Sequence, residues 1–583
     1  MNPFAECPLV FDYSSLPRDF RREFVPQTLG FEWSELGPLF SALQDRPIRS
    51  RDDLEKWLAD GAELDSVINE QRALRYVNYS RQTDNKEYEK AWTEFIEELE
   101  PRLKLANFQL LKKFVGSPQI AQLPETYTMD AKRRTNAVEI FREGNVELEK
   151  QDSTLAQEYQ RIMGAMTVTY EGEERTLQQM LKFEEQTDRA VRKETWELSG
   201  ARALKDSLAI EKLYTEMVAL RDRVALNAGF DNFRDFMFRK KERFDYNPED
   251  CFRFHSAVEE YFVPLSRDLD KQRQEKLGLE ELRPWDLRVD PEGSPPLSPF
   301  KTSEELVGGC SKIIEQVDPQ LHDYFQTMAN LDLLDLQSRK GKAPGGFQED
   351  FSEVRLPFIF MNAAGRDNDV RTLLHESGHS FHTFLMRDRN LPFFNAGANL
   401  PLEFAEVAST SMELMGSGHM TGSFYSEDEA RRSNRAEVLS TVKLFTWVAT
   451  IDAFQHWVYT HPGHSADERT REWVKTFKRF SGNENWDGYP EHLKYRWQRQ
   501  LHLFEVPFYY IEYGIANLGA LGIWLRYRKE PREAIQAYKS ALSLGSSRPL
   551  PELFGAADLP WDIGPGTIRK YADELKGVLR EYS

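Results

Sequence analysis

The chain has 583 residues, 29% of them charged and 40% hydrophobic, with a net charge of −19. That length can bury more than one structural lobe, and no run approaches the roughly 20 apolar residues needed to span a bilayer. The acidic balance argues against nucleic-acid binding, which uses basic patches to displace counterions.

In chain order, Met1 to Phe24 lacks a basic start followed by an apolar stretch, so no secretory signal is expected. Asp84 to Val115 carries apolar residues at three- and four-residue spacing and reads as helix, as do Thr176 to Phe238 and Glu427 to Tyr459. Between the first two, Met166 to Tyr170 followed by Glu171-Gly172 reads as a hairpin arm. Leu282 to Phe300 holds five prolines and one glycine and reads as a long ordered loop or connection. Val354 to Met361 reads as a strand, with Pro357 suggesting a sheet edge. Cys7, Cys251 and Cys310 stand far apart with no metal-type spacing. They read as small buried thiols in a reducing compartment, the cytoplasm. The expected architecture is mainly α: a helical region over 1–200, then a catalytic region over 201–583 with a small sheet.

Thr372 to Phe384 reads TLLHESGHSFHTF and contains His375-Glu376-Ser377-Gly378-His379. On a helix, positions i and i+4 share a face, so both imidazoles can reach one ion. Zinc suits neutral imidazole and keeps one position open for water in catalytic sites. It lowers the pKa of that water to about 7, and Glu376 stands where a general base is needed. A chance match is expected in roughly one or two per cent of such chains. Apolar Leu373, Leu374 and Phe381 support a helix here.

The third ligand sorts the zinc peptidases. A close-following His-x-x-Gly-x-x-His extension fails, because the chain has His382 and Leu385 at the Gly and His places. A glutamate about 18 to 20 residues after the second histidine fails too, because Gly397, Ala398 and Asn399 occupy that window. The first carboxylates downstream are Glu403 and Glu406, three residues apart on a probable helix. One can bind the metal while the other supports a histidine.

HESGHSFH followed by EFAEVASTSMEL resembles the oligoendopeptidase F and thimet oligopeptidase family of zinc metallopeptidases. The resemblance implies that Glu406, in Glu406-Val-Ala-Ser409, is the third zinc ligand beside His375 and His379. Glu403 then falls at a supporting acidic position, Glu413 at a further glutamate, and His382 at an extra histidine outside the ligand set. Carboxypeptidase Taq-type enzymes share His-Glu-Ser-Gly-His, but Phe404-Ala-Glu-Val-Ala-Ser409 departs from their third-ligand segment. His502 to Trp524 resembles the family's His- and Tyr-rich helix. Tyr513 is the first choice for a donor to the oxyanion of peptide hydrolysis, followed by His502 and Tyr509, with Tyr510 in reserve. At 100° per residue, one continuous helix would put His502, Tyr509 and Tyr513 in a narrow sector, although Pro507 complicates it. Lys342-Ala-Pro-Gly-Gly-Phe347, with Gly345 and Gly346, resembles a substrate-lining segment. Leu544 to Arg548, with Gly545, resembles a glycine-rich loop bordering the active site.

The resemblance implies two mostly helical lobes around a deep central channel, one Zn²⁺ per chain and short unstructured peptides as substrates, with no nucleic-acid or membrane partner. Endopeptidase action is the expected activity. Alternatives are a zinc carboxypeptidase or dipeptidyl carboxypeptidase, and a non-catalytic peptide-binding protein.

Overall fold

A computed structural model of the chain describes residues 13–18, 21–389 and 400–582. Cys7 and the 397–399 window lie outside them. Helices dominate, with one two-stranded and one three-stranded sheet among the described residues. No helix among them is long and apolar enough to cross a membrane.

The chain forms two compact units, each assembled from three segments. The first comprises Met1–Glu139, Leu297–Ser433 and Gly519–Trp561; the second comprises Ile140–Pro296, Asn434–Leu518 and Asp562–Ser583.

In the first unit, the 31-residue helix Arg51–Arg81 starts from a capping box in which Ser50 and Asp53 satisfy each other's backbone N–H groups. Its apolar face buries Leu54, Trp57 and Leu58 with Leu36, Phe40 and Phe114. The three-stranded sheet has Leu356–Ala363 at its centre, parallel to Leu334–Gln337 and antiparallel to Phe347–Phe351. The expected edge position is therefore wrong. Pro357 is tolerated in a central strand because parallel pairing begins only at Ile359, so at Pro357 the strand is paired on one side alone. The helix Asp367–Asp388 packs on this sheet, where Thr383 Oγ1 donates to Asp350 Oδ1 at 2.7 Å.

A buried charge cluster fixes the first strand. Asp335, 2% exposed, accepts from Arg81 Nε at 2.7 Å, Arg339 Nη1 at 2.6 Å and Lys342 Nζ at 3.0 Å. Lys342 also donates to the carbonyls of Gln337 at 3.0 Å and Met361 at 2.5 Å, so one ammonium joins two strands. Burial pulls Lys342 down to about 8, against the opposing pull of Asp335.

In the second unit, the hairpin forms as expected: Thr167–Tyr170 pairs with Glu173–Thr176 through Glu171 (φ 54°) and Gly172 (φ 79°). Two positive φ values suit the primed turn that matches strand twist. The stretch read as helix from Thr176 onward becomes Leu177–Glu184, Arg189–Lys205, Ser207–Ala228 and Phe233–Lys240. The proline-rich segment is an ordered loop, anchored where Asp286 accepts from Arg189 and Arg192.

Replacing Asp335 by Asn should strand buried cations without their counter-charge, at a cost of about 3–5 kcal/mol. Thermal unfolding monitored by circular dichroism checks this; an unchanged melting temperature would contradict it.

Candidate metal and catalytic site

The motif helix Asp367–Asp388 and the helix Leu402–Gly416 pack against each other in the first unit. They approach closely at Gly378, where an added Cβ would lie 2.5 Å from Ala408 O and 2.6 Å from Ser409 Cα. Only glycine permits that distance, and it brings Glu406 opposite His375, about one turn before the glycine, and His379, the next residue. Glu406 Oε2 lies 3.4 Å from His375 Nε2 and 3.7 Å from His379 Nε2. Donor atoms of these three residues all fall within 4.8 Å of one another.

Two of the three donors are oriented from behind. His375 Nδ1–H donates to Glu413 Oε1 at 2.6 Å, which turns Nε2 toward Glu406. Ser409 Oγ donates to Glu406 Oε2 at 3.0 Å. Glu413 follows Glu406 by seven residues, two turns along the same helix face, and that spacing was the available signal for its role. Glu403 is buried at 5% exposure, one turn before Glu406. The carboxylate that holds His375 is Glu413.

The electrostatics favour a cation. Burial opposes charge on His375, but Glu406 and Glu413 outweigh it and push the imidazole well above its ordinary range. Burial lowers His379 to about 4. Glu406 is drawn down to about 2: burial opposes ionisation, and His375 and His379 overcome it. Glu376 is 7% exposed, and burial pushes it up to about 7, reinforced by Glu406 and Glu413. Two imidazoles and a carboxylate with an accessible face fit zinc chemistry, and side-chain exposures of 27% for His375, 19% for His379 and 15% for Glu406 leave that face open. His382 is not among the three converging donors; its ring packs edge-on against Phe404 at 6.3 Å.

Gly345 has φ 96°, a left-handed conformation that favours glycine, and its carbonyl accepts from Asn362 Nδ2 at 2.9 Å. Gly346 packs beside Met361 and Thr372, at the start of the motif helix. Gly545, φ 52°, lies in a buried loop where Ser546 O accepts from Arg133 at 2.7 Å.

The aromatic group lies in the second unit. The single-helix geometry is corrected: the chain forms His502–Glu505, breaks, and resumes as Tyr510–Tyr527. Pro507 and Phe508, the latter at φ 63°, make the break. Gln455 Oε1 accepts the Phe508 N–H at 2.6 Å, and Arg243 donates to the Phe508 carbonyl. Arg221 holds the preceding turn through the carbonyls of Leu503 and Phe504.

The turn still gathers the rings. His502 lies 4.9 Å from Tyr510 and 5.8 Å from both Tyr509 and Tyr513. Tyr510 is thus the nearest ring, not a peripheral one. Trp447 Nε1 donates to Gln500 Oε1 at 2.9 Å, which orients the amide so that its Nε2 donates to His502 Nδ1 at 2.7 Å. His502 Nε2 therefore carries the proton and faces Tyr513 Oη at 3.4 Å. Burial, aided by Lys241, lowers His502 to about 4 and keeps it neutral.

Gly378→Ala should reverse the usual helix preference. Alanine is favoured over glycine by up to about 1 kcal/mol in a helix interior, yet here overpacking should cost roughly 1–3 kcal/mol and weaken metal binding by displacing Glu406. Equal stability and metal affinity in both proteins, measured by thermal unfolding and metal titration, would contradict the crossing argument.

Residues 182–559 match the model of "Peptidase family M3", and residues 31–135 match "Peptidase M3 N-terminal domain". Oligopeptidase PepF of Bacillus subtilis is 26% identical over 223 residues, 37% of this chain and 32% of that protein. The chain spans less than half the length of the curated relatives it matches. The structure titled "PZ peptidase A with inhibitor 2" is 26% identical with a TM-score of 0.86, covering 97% of this chain and 99% of that one. A putative oligoendopeptidase F structure is 27% identical, also with a TM-score of 0.86, covering 96% of this chain and 99% of that one. With well over half its length matched by the family model, and with the His-Glu-x-x-His helix inside the match, the chain belongs to peptidase family M3.

Proposed function

We propose that this protein is a zinc-dependent endopeptidase that hydrolyses internal bonds of short, unstructured peptides in the cytoplasm, with its chemistry carried by the 201–583 region. The observation that carries this reading is the convergence of His375, His379 and Glu406, with buried Glu376 on the same helix. The relatives named oligopeptidase and oligoendopeptidase support the substrate class.

Zinc held by His375, His379 and Glu406 would supply a Lewis acid and a water of lowered pKa. Glu413 and Ser409 keep two of the donors aimed. Glu376 takes the proton of the attacking water on its carboxylate and later returns one to the leaving amine nitrogen. Its burial keeps its proton affinity high enough for both transfers, although a nearby dication would lower it. Tyr513 is the residue that the family resemblance assigns to the developing oxyanion, and within its own unit the His502 N–H faces its hydroxyl oxygen. Tyr509 and Tyr510 pack around this pair and limit its motion. Glu403, Gly345, Gly346 and Gly545 complete the surroundings of metal and peptide. The two glycines at 345 and 346 put no side chain in the way of an extended substrate that pairs with the main chain.

Glu376→Gln should retain zinc and lose roughly 10²–10⁴-fold in turnover. The assay is mass spectrometry of products from peptides blocked at both ends, with zinc content measured in parallel. Internal cuts abolished by a chelator are expected of the wild type. Substantial turnover in the zinc-loaded variant would remove Glu376 as general base, and products trimmed only from free ends would replace endopeptidase with exopeptidase action.

Tyr513→Phe should lower kcat by about 10²–10³-fold, the scale of losing one oxyanion donor, with little change in KM. Steady-state kinetics on one cleavable peptide decides it. A change confined to KM would move Tyr513 from the chemical step to substrate binding.

A further inference from the structure

The second unit holds another group of metal-type donors, which has no part in the mechanism above. Two helices supply it with the same four-residue spacing. Cys251 and His255 lie on Pro248–Ala257, and Asp452 and His456 lie on Glu427–Thr460. The spacing puts each pair on one helix face. Cys251 and Asp452 are fully buried, and His255 and His456 are 2% and 3% exposed.

The Cys251 sulfur, a carboxylate oxygen of Asp452 and a ring nitrogen of His456 lie within 4.8 Å of one another. His255 Nε2 donates to Asp452 Oδ2 at 2.8 Å and orients the carboxylate. Asp452 Oδ1 and both ring nitrogens of His456 then have no hydrogen-bond partner. His456 Nε2 is 3.3 Å from Asp452 Oδ2, but the approach lies off the axis a hydrogen bond requires. The rings of Phe238, Phe252 and Phe508 enclose His456. Buried polar atoms are almost always paired. Here three unpaired ones gather beside a thiol in an apolar setting, and one ion would satisfy them together.

We propose that Cys251, Asp452 and His456 bind a structural divalent transition-metal ion, zinc by donor type, with His255 orienting Asp452 and at hand as a fourth donor. A thiolate, a carboxylate and neutral imidazole leave the site electrically neutral around a dication, which suits a low-dielectric interior. On binding, the thiol proton is released to solvent. The ion would tie the two helices together behind the Phe508 turn, since Gln455 takes the Phe508 N–H and His456 packs edge-on against the Phe508 ring at 5.5 Å.

The test uses the full chain grown in cobalt-supplemented minimal medium. A thiolate bound to Co²⁺ gives a near-ultraviolet charge-transfer absorption, which the sulfur-free set of His375, His379 and Glu406 cannot produce. The band should be present in the wild type and in His379→Ala, and absent from Cys251→Ser. Zinc-grown wild type should hold one more zinc per chain than Cys251→Ser. His456→Gln, which keeps the thiol, should also lose the extra ion, with circular dichroism reporting whether each variant folds. Should neither variant fold, the wild-type band alone decides. No band in the folded, cobalt-grown wild type, or equal metal content in folded wild type and Cys251→Ser, would overturn the site and leave a metal-free buried cluster.

Discussion

The site depends on how closely two helices can approach at Gly378. Glu406 is useful only if its carboxylate reaches both imidazoles, and that requires the backbone of Ala408 and Ser409 to sit where a side chain would otherwise stand. Tyr538 braces the same point from the far side, its hydroxyl donating to Ala408 O at 2.8 Å. Gathering histidines and carboxylates in a half-buried place is unfavourable, because each ion loses hydration worth several kcal/mol. A cation between them offsets this, and the upward push on His375 shows that even a proton is drawn there. The packing of the helices therefore stores an attraction for positive charge.

The supporting elements serve the same requirement for stiffness. Lys342 reaches Asp335 and carbonyls of two strands, so the sheet beneath the motif helix has a fixed register where its hydrogen-bond ladder is shortest. In the second unit the same solution appears without a sheet. Arg221 and Arg243 hold the carbonyls of a broken helix, and the break lets four aromatic rings meet that a continuous helix would spread along its length. Both are cases of buried cations satisfying backbone groups that regular structure leaves unpaired.

What could be read in the sequence was what depends on local period and chemistry. The four-residue histidine spacing, the long amphipathic helices and the Glu171-Gly172 turn follow from neighbours along the chain, and all are found. Pro357 misled because proline reports a missing donor, not which side of the strand lacks a partner. Pro507 signals the break, but the left-handed turn at Phe508 is not legible because its cause is distributed: Gln455, Arg243 and Arg221 come from elsewhere in the chain to hold it. Glu413 was visible as a glutamate but not as the partner of His375, since that contact crosses between helices. Cys251 has no cysteine at metal-type spacing, but its four-residue spacing to His255 repeats the pattern of the first site.

The two donor clusters differ in the property that separates a working ion from a structural one. His375, His379 and Glu406 keep side-chain exposures between 15% and 27%, with Glu376 beside them, so a substrate atom can enter. The donors around Asp452 are sealed to 3% or less, with no candidate base facing an open side. Helix spacing alone does not distinguish these outcomes, since each cluster combines an i and i+4 pair on one helix with a donor from an adjacent helix. The difference lies in what surrounds them. A carboxylate in the first is held by a serine and shares its space with solvent; a carboxylate in the second is held by a histidine among phenylalanine rings. Chemistry needs a donor set that is completed by something arriving from outside, whereas a structural ion is most stable when nothing can arrive.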